Sequence, residues 1–252
     1  MKRLAAALLL LVLATGLAGC GGGSDDRTLT VLAAASLTDS FQGMADEFRA
    51  EHPGVEVRLV FDSSATLADK AVDHAPGDVL ATADERTMRA ATEGGGTVGT
   101  PREFATNEMV LVVPRDNPAG IDRFADLDDG GVDYLTCVRT APCGAAARAL
   151  LQRNHVDHPP VSEEVDVRAV LGKVMQGEAD AGLVYRTDAK AAGDAVRTLP
   201  VPGARQQPNT YWVAVTPAAG DRALARAWVS LVLGDQGRAV LSEAGFGPPG
   251  RP

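Results

Sequence analysis

Aromatic residues are scarce in this 252-residue chain: six Phe, three Tyr and two Trp. So few rings leave little for stacking on nucleobases or sugars. Basic charge is also short, with 24 Lys plus Arg against 33 Asp plus Glu and a formal net charge of -9. An acidic chain lacks the cationic footprint that a nucleic-acid backbone demands, so no nucleic acid is expected as partner. The sequence has no internal repeat, and its longest apolar run falls well short of the roughly 20 residues of a membrane-spanning helix. What it does have is 45% hydrophobic residues at a mean hydropathy of -0.02. That balance builds a real core, and the length suits one large or two modest domains.

The N-terminus reads as an export segment. Lys2 and Arg3 precede an unbroken apolar run from Leu4 to Ala14, too short to span a bilayer but suited to the core of a signal peptide. The competing reading is an N-terminal membrane anchor. Leu17-Ala18-Gly19-Cys20 resembles the lipobox of bacterial lipoproteins, which implies cleavage after residue 19 and lipidation of Cys20. Residues 20–27 then form a flexible tether, carried by Gly21-Gly22-Gly23. Cleavage removes Lys2 and Arg3, so the exported chain is more acidic by two charges and keeps only three lysines. Cys137 and Cys143 then lie in an oxidising compartment six residues apart, and a disulfide is the expected state. A cysteine nucleophile or a metal pair is the alternative; His52, His74, His155 and His158 show no zinc-type spacing with either cysteine.

Short apolar strands alternate with amphipathic helices. Strands are expected at Leu29 to Ala34, Val55 to Phe61, Asp78 to Thr82, Met109 to Val113, Val132 to Val138, Ala181 to Tyr185, Val196 to Val201 and Tyr211 to Val215. Phe41, Met44, Ala45 and Phe48 mark a helix that ends at His52-Pro53-Gly54. Further helices are expected from about Thr66 to Ala75, Asp84 to Glu93, Cys143 to His155, Asp166 to Gly177, Asp221 to Leu233 and Asp235 to Ala244. The fold class is α/β, with two lobes, each a mixed sheet flanked by helices, and a ligand cleft between them. The expected division is 28–106 plus 216–252 for the first lobe and 107–215 for the second, with crossing segments near 106–113 and 209–215.

Small hydroxylated residues recur where strands hand over to helices. Ala34-Ala35-Ser36-Leu37-Thr38-Asp39 and Phe61-Asp62-Ser63-Ser64-Ala65-Thr66 are two such junctions; Thr140-Ala141-Pro142-Cys143 and Val165-Asp166-Val167-Arg168 are two more. Ser36 with Asp39 three residues later also fits a capping box, in which the serine serves only its own helix. Helix N-termini present unpaired N–H groups and the positive end of a dipole, so several converging on one cleft bind an anion without lysine or arginine.

Five segments in order, Ala34-Ala35-Ser36-Leu37-Thr38, Phe61 to Ala68, Pro76-Gly77-Asp78-Val79, Asp166-Val167-Arg168-Ala169 and Gly182 to Ala189, resemble the molybdate-binding proteins of molybdate ABC importers, from about Leu29 to Phe246. The resemblance implies a two-lobed solute-binding protein, not an enzyme, that closes as a monomer around molybdate or tungstate and delivers it to membrane permease subunits. It would work outside the cytoplasm, held to the membrane by lipidated Cys20, without a cofactor. The ligand contacts it implies are Ser36, Ser64, Cys143, Val167 and Tyr185, with Ser63 as a secondary candidate. Molybdenum would be held only through its oxygens, with no direct metal ligand. Asp62 departs from what a dianion site favours, and is tolerable if its side chain points away.

Two other readings stay open. A solute-binding protein for another oxyanion or a small organic acid would share the lobes, and Arg139, Arg168 and Arg186 lie near enough to the junctions to hold a carboxylate. A secreted serine hydrolase using Ser36 or Ser64 is the enzyme alternative, but the chain has neither a Gly-x-Ser-x-Gly elbow nor a Ser-x-x-Lys pair.

Overall fold

The structure is a computed structural model that describes residues 27–250. Cys20 and the proposed export segment lie outside the described residues. The first lobe opens with β1 (Arg27–Ala34), α1 (Thr38–Glu51), β2 (Val55–Asp62), α2 (Ser64–Val72), β3 (Val79–Thr82), α3 (Glu85–Glu93) and β4 (Val98–Asn107). The chain then crosses through Glu108 alone into β5 (Met109–Pro114). The second lobe continues with β6 (Tyr134–Cys137), α4 (Pro142–Arg153), β7 (Ser162–Glu164), α5 (Val167–Met175), β8 (Ala181–Tyr185), α6 (Arg186–Ala192) and β9 (Val196–Pro200). Strand β10 (Asn209–Val215) returns to the first lobe, followed by α7 (Arg222–Leu233) and α8 (Asp235–Ala244).

Two five-stranded sheets result, in the orders β2-β1-β3-β10-β4 and β7-β6-β8-β5-β9. Strand β1 runs parallel to β2 and β3, while β10 is antiparallel to β3 and β4. In the second sheet β6 is parallel to β7 and β8, and β5 is antiparallel to β8 and β9. The expected mixed sheets are therefore present. Strand β1 shows why its sequence is apolar from Val31 onward. Leu29, Val31 and Ala33 pack with Phe41, Phe48 and Trp228 on one face, and Leu32 packs with Leu67, Leu80 and Met88 on the other, as a sheet covered on both sides requires. The Phe41 and Trp228 rings meet edge to face at 5.6 Å.

Four elements differ from the sequence expectation. Strand β4 was not expected because Gly99 and Pro101 interrupt it; it holds as an edge strand, where a missing N–H costs no ladder bond. Strand β7 has only three residues, Ser162–Glu164, all polar. Helix α6 starts directly on β8, with no turn residue between, so no breaker marks it. Strand β10 pairs within the first sheet, with Tyr211 opposite Ala105 and Val213 opposite Ala81. The expected inclusion of 209–215 in the second lobe is thus corrected: once β3 and β4 are hydrogen-bonded partners, that strand is part of the first.

The cysteines form the Cys137–Cys143 disulfide, linking the end of β6 to the first turn of α4. Gly144 packs so tightly there that a Cβ would meet the Val138 carbonyl oxygen at 2.1 Å. His74 and His155 adopt positive φ just beyond the ends of α2 and α4, the position where a left-handed residue closes a helix. Both are helix terminators, and no group of three metal-ligating side chains gathers among the described residues.

One carboxylate is buried in the second lobe. Asp188, 1% exposed, caps α6 by accepting the Tyr185 backbone N–H at 3.0 Å, while its other oxygen has no hydrogen-bond partner. Burial pushes its pKa up to about 7, against the opposing pull of the Arg168 guanidinium 3.9 Å away and of the Tyr185 N–H; Asp39 and Asp166 push in the same direction as burial. A folded-state pKa above the unfolded one means the protonated form is favoured by folding, so stability is highest below pH 4 from this group and falls as pH rises through 7. Asp188→Asn is expected to gain about 2–3 kcal/mol on the wild type between pH 5 and pH 8, read from urea unfolding at both. Replacing both Cys137 and Cys143 by Ala is expected to lower unfolding stability by roughly 2 kcal/mol, the loop-closure contribution of so short a ring; urea titration of the oxidised wild type against the variant measures it.

Candidate functional site

The parallel register sets Ala34 beside Asp62 and Ala33 beside Ala81, so β1, β2 and β3 all end on one edge of the first sheet. Strands β6 and β8 end facing them from the second sheet. Between these ends lies a small cavity of about 20 Å³, lined by Ala34, Ala35, Ser36, Asp62, Ser63, Ser64 and Ala83 from one lobe and by Ala141, Pro142, Cys143, Asp166, Val167 and Tyr185 from the other. That size is far below the range of pockets for drug-sized ligands and suits a small ion. Ser36, Ser63, Ser64, Cys143, Val167 and Tyr185, singled out from sequence, thus all line one cavity.

Helix starts dominate the lining. Ser64 is the first residue of α2, Cys143 the second of α4 and Val167 the first of α5, positions whose N–H groups have no intrahelical acceptor. Helices α3 and α7 satisfy such groups with aspartate caps: Asp84 accepts from Thr87, and Asp221 from Ala223 and Leu224. At the cavity the residues before α2 and α4, Ser63 and Ala141, make no side-chain cap. Asp166 does cap α5, but it takes the Arg168 and Ala169 N–H groups at 2.8 and 2.9 Å and leaves Val167. These uncapped ends point donors and partial positive charge at the cavity.

The hydroxyls add to this inventory. Ser63 Oγ and Tyr185 Oη are buried and have no protein partner, an arrangement that costs free energy unless something accepts from them. Burial, and then the neighbouring Tyr211, Asp84 and Asp188, hold the Tyr185 hydroxyl well above its ordinary pKa, so it stays a neutral donor. Ser64 Oγ accepts the Ala83 N–H at 2.9 Å, leaving its own hydrogen to donate. Ser36 does not cap α1: it sits inside a 3-10 turn, Ala35–Leu37, and its Oγ lies 2.8 Å from Tyr211 Oη. The capping-box expectation fails because the helix proper begins only at Thr38.

Charges are kept off the lining or neutralised. No Lys, Arg or His lines the cavity. Asp62 does line it, contrary to the condition that it point away, but one carboxylate oxygen accepts from the Ser63 N–H at 2.7 Å and the other pairs with Lys70 at 3.3 Å. Of the arginines that kept a carboxylate ligand open, Arg168 spans the lobes to Asp39 at 3.1 Å, Arg186 binds Glu108 at 3.0 Å and the Gly245 carbonyl, and Arg139 is exposed. A second bridge between lobes runs from Arg86 to the Thr140 carbonyl at 2.8 Å. Sequence reasoning missed Tyr211, Asn107 and Asp188, which stand behind the lining; their only sequence signal is position, at the two crossings and beside Tyr185.

The chain is similar to known proteins over most of its length. The family model for bacterial extracellular solute-binding proteins matches residues 29–247. The molybdate-binding protein ModA of Mycobacterium tuberculosis is 38% identical over 98% of both chains, and that of Escherichia coli 30% identical over 88% of this chain and 90% of its own. Among solved structures, the periplasmic molybdate-binding protein of Azotobacter vinelandii superposes with a TM-score of 0.79 at 21% identity, covering 88% of this chain and all of that one. The sulfate-binding protein SubI of M. tuberculosis has a TM-score of 0.76 at 20% identity, covering 88% and 87%. The chain belongs to the bacterial extracellular solute-binding proteins, in the same family as the ModA proteins it matches from end to end.

Proposed function

We propose that this protein captures molybdate, and tungstate equally well, in the cleft between its lobes, and delivers it to an ABC importer permease from the outer face of the membrane, where lipidated Cys20 anchors it. The observation that carries this reading is the donor character of the cavity: buried hydroxyls with no protein acceptor and uncapped helix N-termini converge from both lobes on a space sized for a small ion. A fully deprotonated tetrahedral dianion matches that inventory, since each of its oxygens only accepts. Binding rests on Ser36, Ser64 and Tyr185 hydroxyls and on the Ser64, Cys143 and Val167 N–H groups, with Ser63 in support. Each charge-assisted bond contributes roughly 1.5–3 kcal/mol, enough in aggregate for tight binding after desolvation and lobe closure.

The end-to-end identity to molybdate-binding proteins supports the choice of ion. The mechanism is then one of fit. Sulfate carries the same charge and the same acceptors, so cavity size must discriminate against it; hydrogen phosphate carries a proton that needs an acceptor. No lining residue supplies the histidine a serine hydrolase would use, and the relatives are solute-binding proteins, so the protein acts by binding and release.

A thermal-shift and calorimetric panel of oxyanions tests this. Molybdate and tungstate are expected to raise the melting temperature alike, with sulfate and phosphate far behind; sub-micromolar phosphate binding would overturn the reading. Ser36→Ala and Ser64→Ala are each expected to weaken molybdate by about tenfold or more, and Tyr185→Phe to do the same from the other lobe. Unchanged affinity in all three would place the site elsewhere.

A further inference from the structure

Ser36 Oγ and Ser64 Oγ stand in the same situation by different means. Ser64 Oγ receives the Ala83 backbone N–H, and a backbone N–H can only donate. That contact occupies the serine oxygen as an acceptor and leaves its hydrogen for the cavity. Ser36 has no such backbone donor; its partner is Tyr211 Oη at 2.8 Å, and a pair of hydroxyls can bond in either direction. Which way that bond runs decides whether Ser36 offers the cavity a hydrogen or a lone pair.

The residues behind Tyr211 settle the direction by elimination. The Glu108 backbone N–H donates to Asn107 Oδ1 at 3.0 Å, which fixes the amide's orientation. Asn107 Nδ2 therefore faces the other way, donating to Thr187 Oγ1 at 2.8 Å and toward Tyr211 Oη at 3.4 Å. Nδ2 cannot accept. Tyr211 is fully buried, and among the described residues Ser36 Oγ is the one acceptor within reach of its O–H. Any other direction leaves a buried hydroxyl hydrogen unpaired, at the full cost of desolvation.

We infer that Asn107 and Tyr211 are positioning residues that set the proton polarity of the binding site: a one-way relay runs from the Glu108 N–H through Asn107 and Tyr211 to Ser36 Oγ, and obliges Ser36 to donate to the bound anion. This rests on the oxyanion-binding reading but not on which dianion is bound. The hydroxyl of Tyr211 never touches the ligand, and does its work through Ser36 alone. With Tyr211 donating to it, the Ser36 hydroxyl is held with its hydrogen toward the ligand and is not free to turn toward the proton of hydrogen phosphate, so the relay contributes to selectivity as well as affinity.

The test is a double-mutant cycle by titration calorimetry on wild type, Tyr211→Phe, Ser36→Ala and the double variant. Phe keeps the ring, and so its contacts with Phe104, Tyr185 and Phe246. Tyr211→Phe is expected to weaken molybdate by about three- to tenfold, the loss of one positioned hydrogen bond. In the Ser36→Ala background the same change is expected to cost less than about twofold. The ratio of molybdate to hydrogen phosphate affinity is expected to fall in Tyr211→Phe as well. Equal losses from Tyr211→Phe with and without Ser36, or no loss at all, would overturn the relay. A wild type that takes sulfate rather than molybdate would sink the molybdate reading alone, and the cycle would then be read with sulfate, to which the same outcomes apply. Asn107→Ala supplies a second arm: its loss must also vanish in the Ser36→Ala background.

Discussion

Everything at the cleft depends on the unpaired N–H groups at the starts of α2, α4 and α5. A helix cannot satisfy its own first turn, and at α3 and α7 aspartates do so. At the cleft the caps are missing or leave one donor over, and the disulfide with Gly144 fixes the start of α4 against the end of β6. The strand order brings these ends together. Parallel neighbours β1, β2 and β3 must end on one edge, and the second sheet presents β6 and β8 in opposition.

This arrangement reconciles an acidic protein with an anionic ligand. A net charge of -9 gives no long-range attraction for a dianion. Fixed dipoles at contact distance act where the surface charge does not reach, because the residues that carry them are buried. The carboxylates that come near are matched: Asp62 by Lys70, Asp39 by Arg168, Asp166 by two backbone N–H groups. Asp188 alone remains half-satisfied, in the second lobe just beneath Tyr185.

The legible part of the sequence was local. Strand ends followed by small hydroxylated residues announced the junctions, and the covered sheets wrote themselves as continuous apolar runs, as in Val79–Thr82 and Met109–Pro114. What could not be read was non-local. Ser36 meets Tyr211 across 175 positions, and its spacing to Asp39 pointed to a cap that the 3-10 turn forbids. Strand β10 belongs to the first sheet through partners more than a hundred residues away, which no short-range pattern encodes. Helix α6 was hidden for the opposite reason: Tyr185 ends the strand and caps the helix at once, so nothing in the sequence marks the change.

The division of the lining between lobes also governs time. Serine donors belong to the first lobe, while Cys143, Val167 and Tyr185 belong to the second. For an ion held between the two groups, parting the lobes would remove the contacts of one side in a single step. Such a separation would break the Arg168–Asp39 and Arg86–Thr140 bridges that join the lobes. A partner that pulled on those outer contacts would govern release without competing for the ion itself.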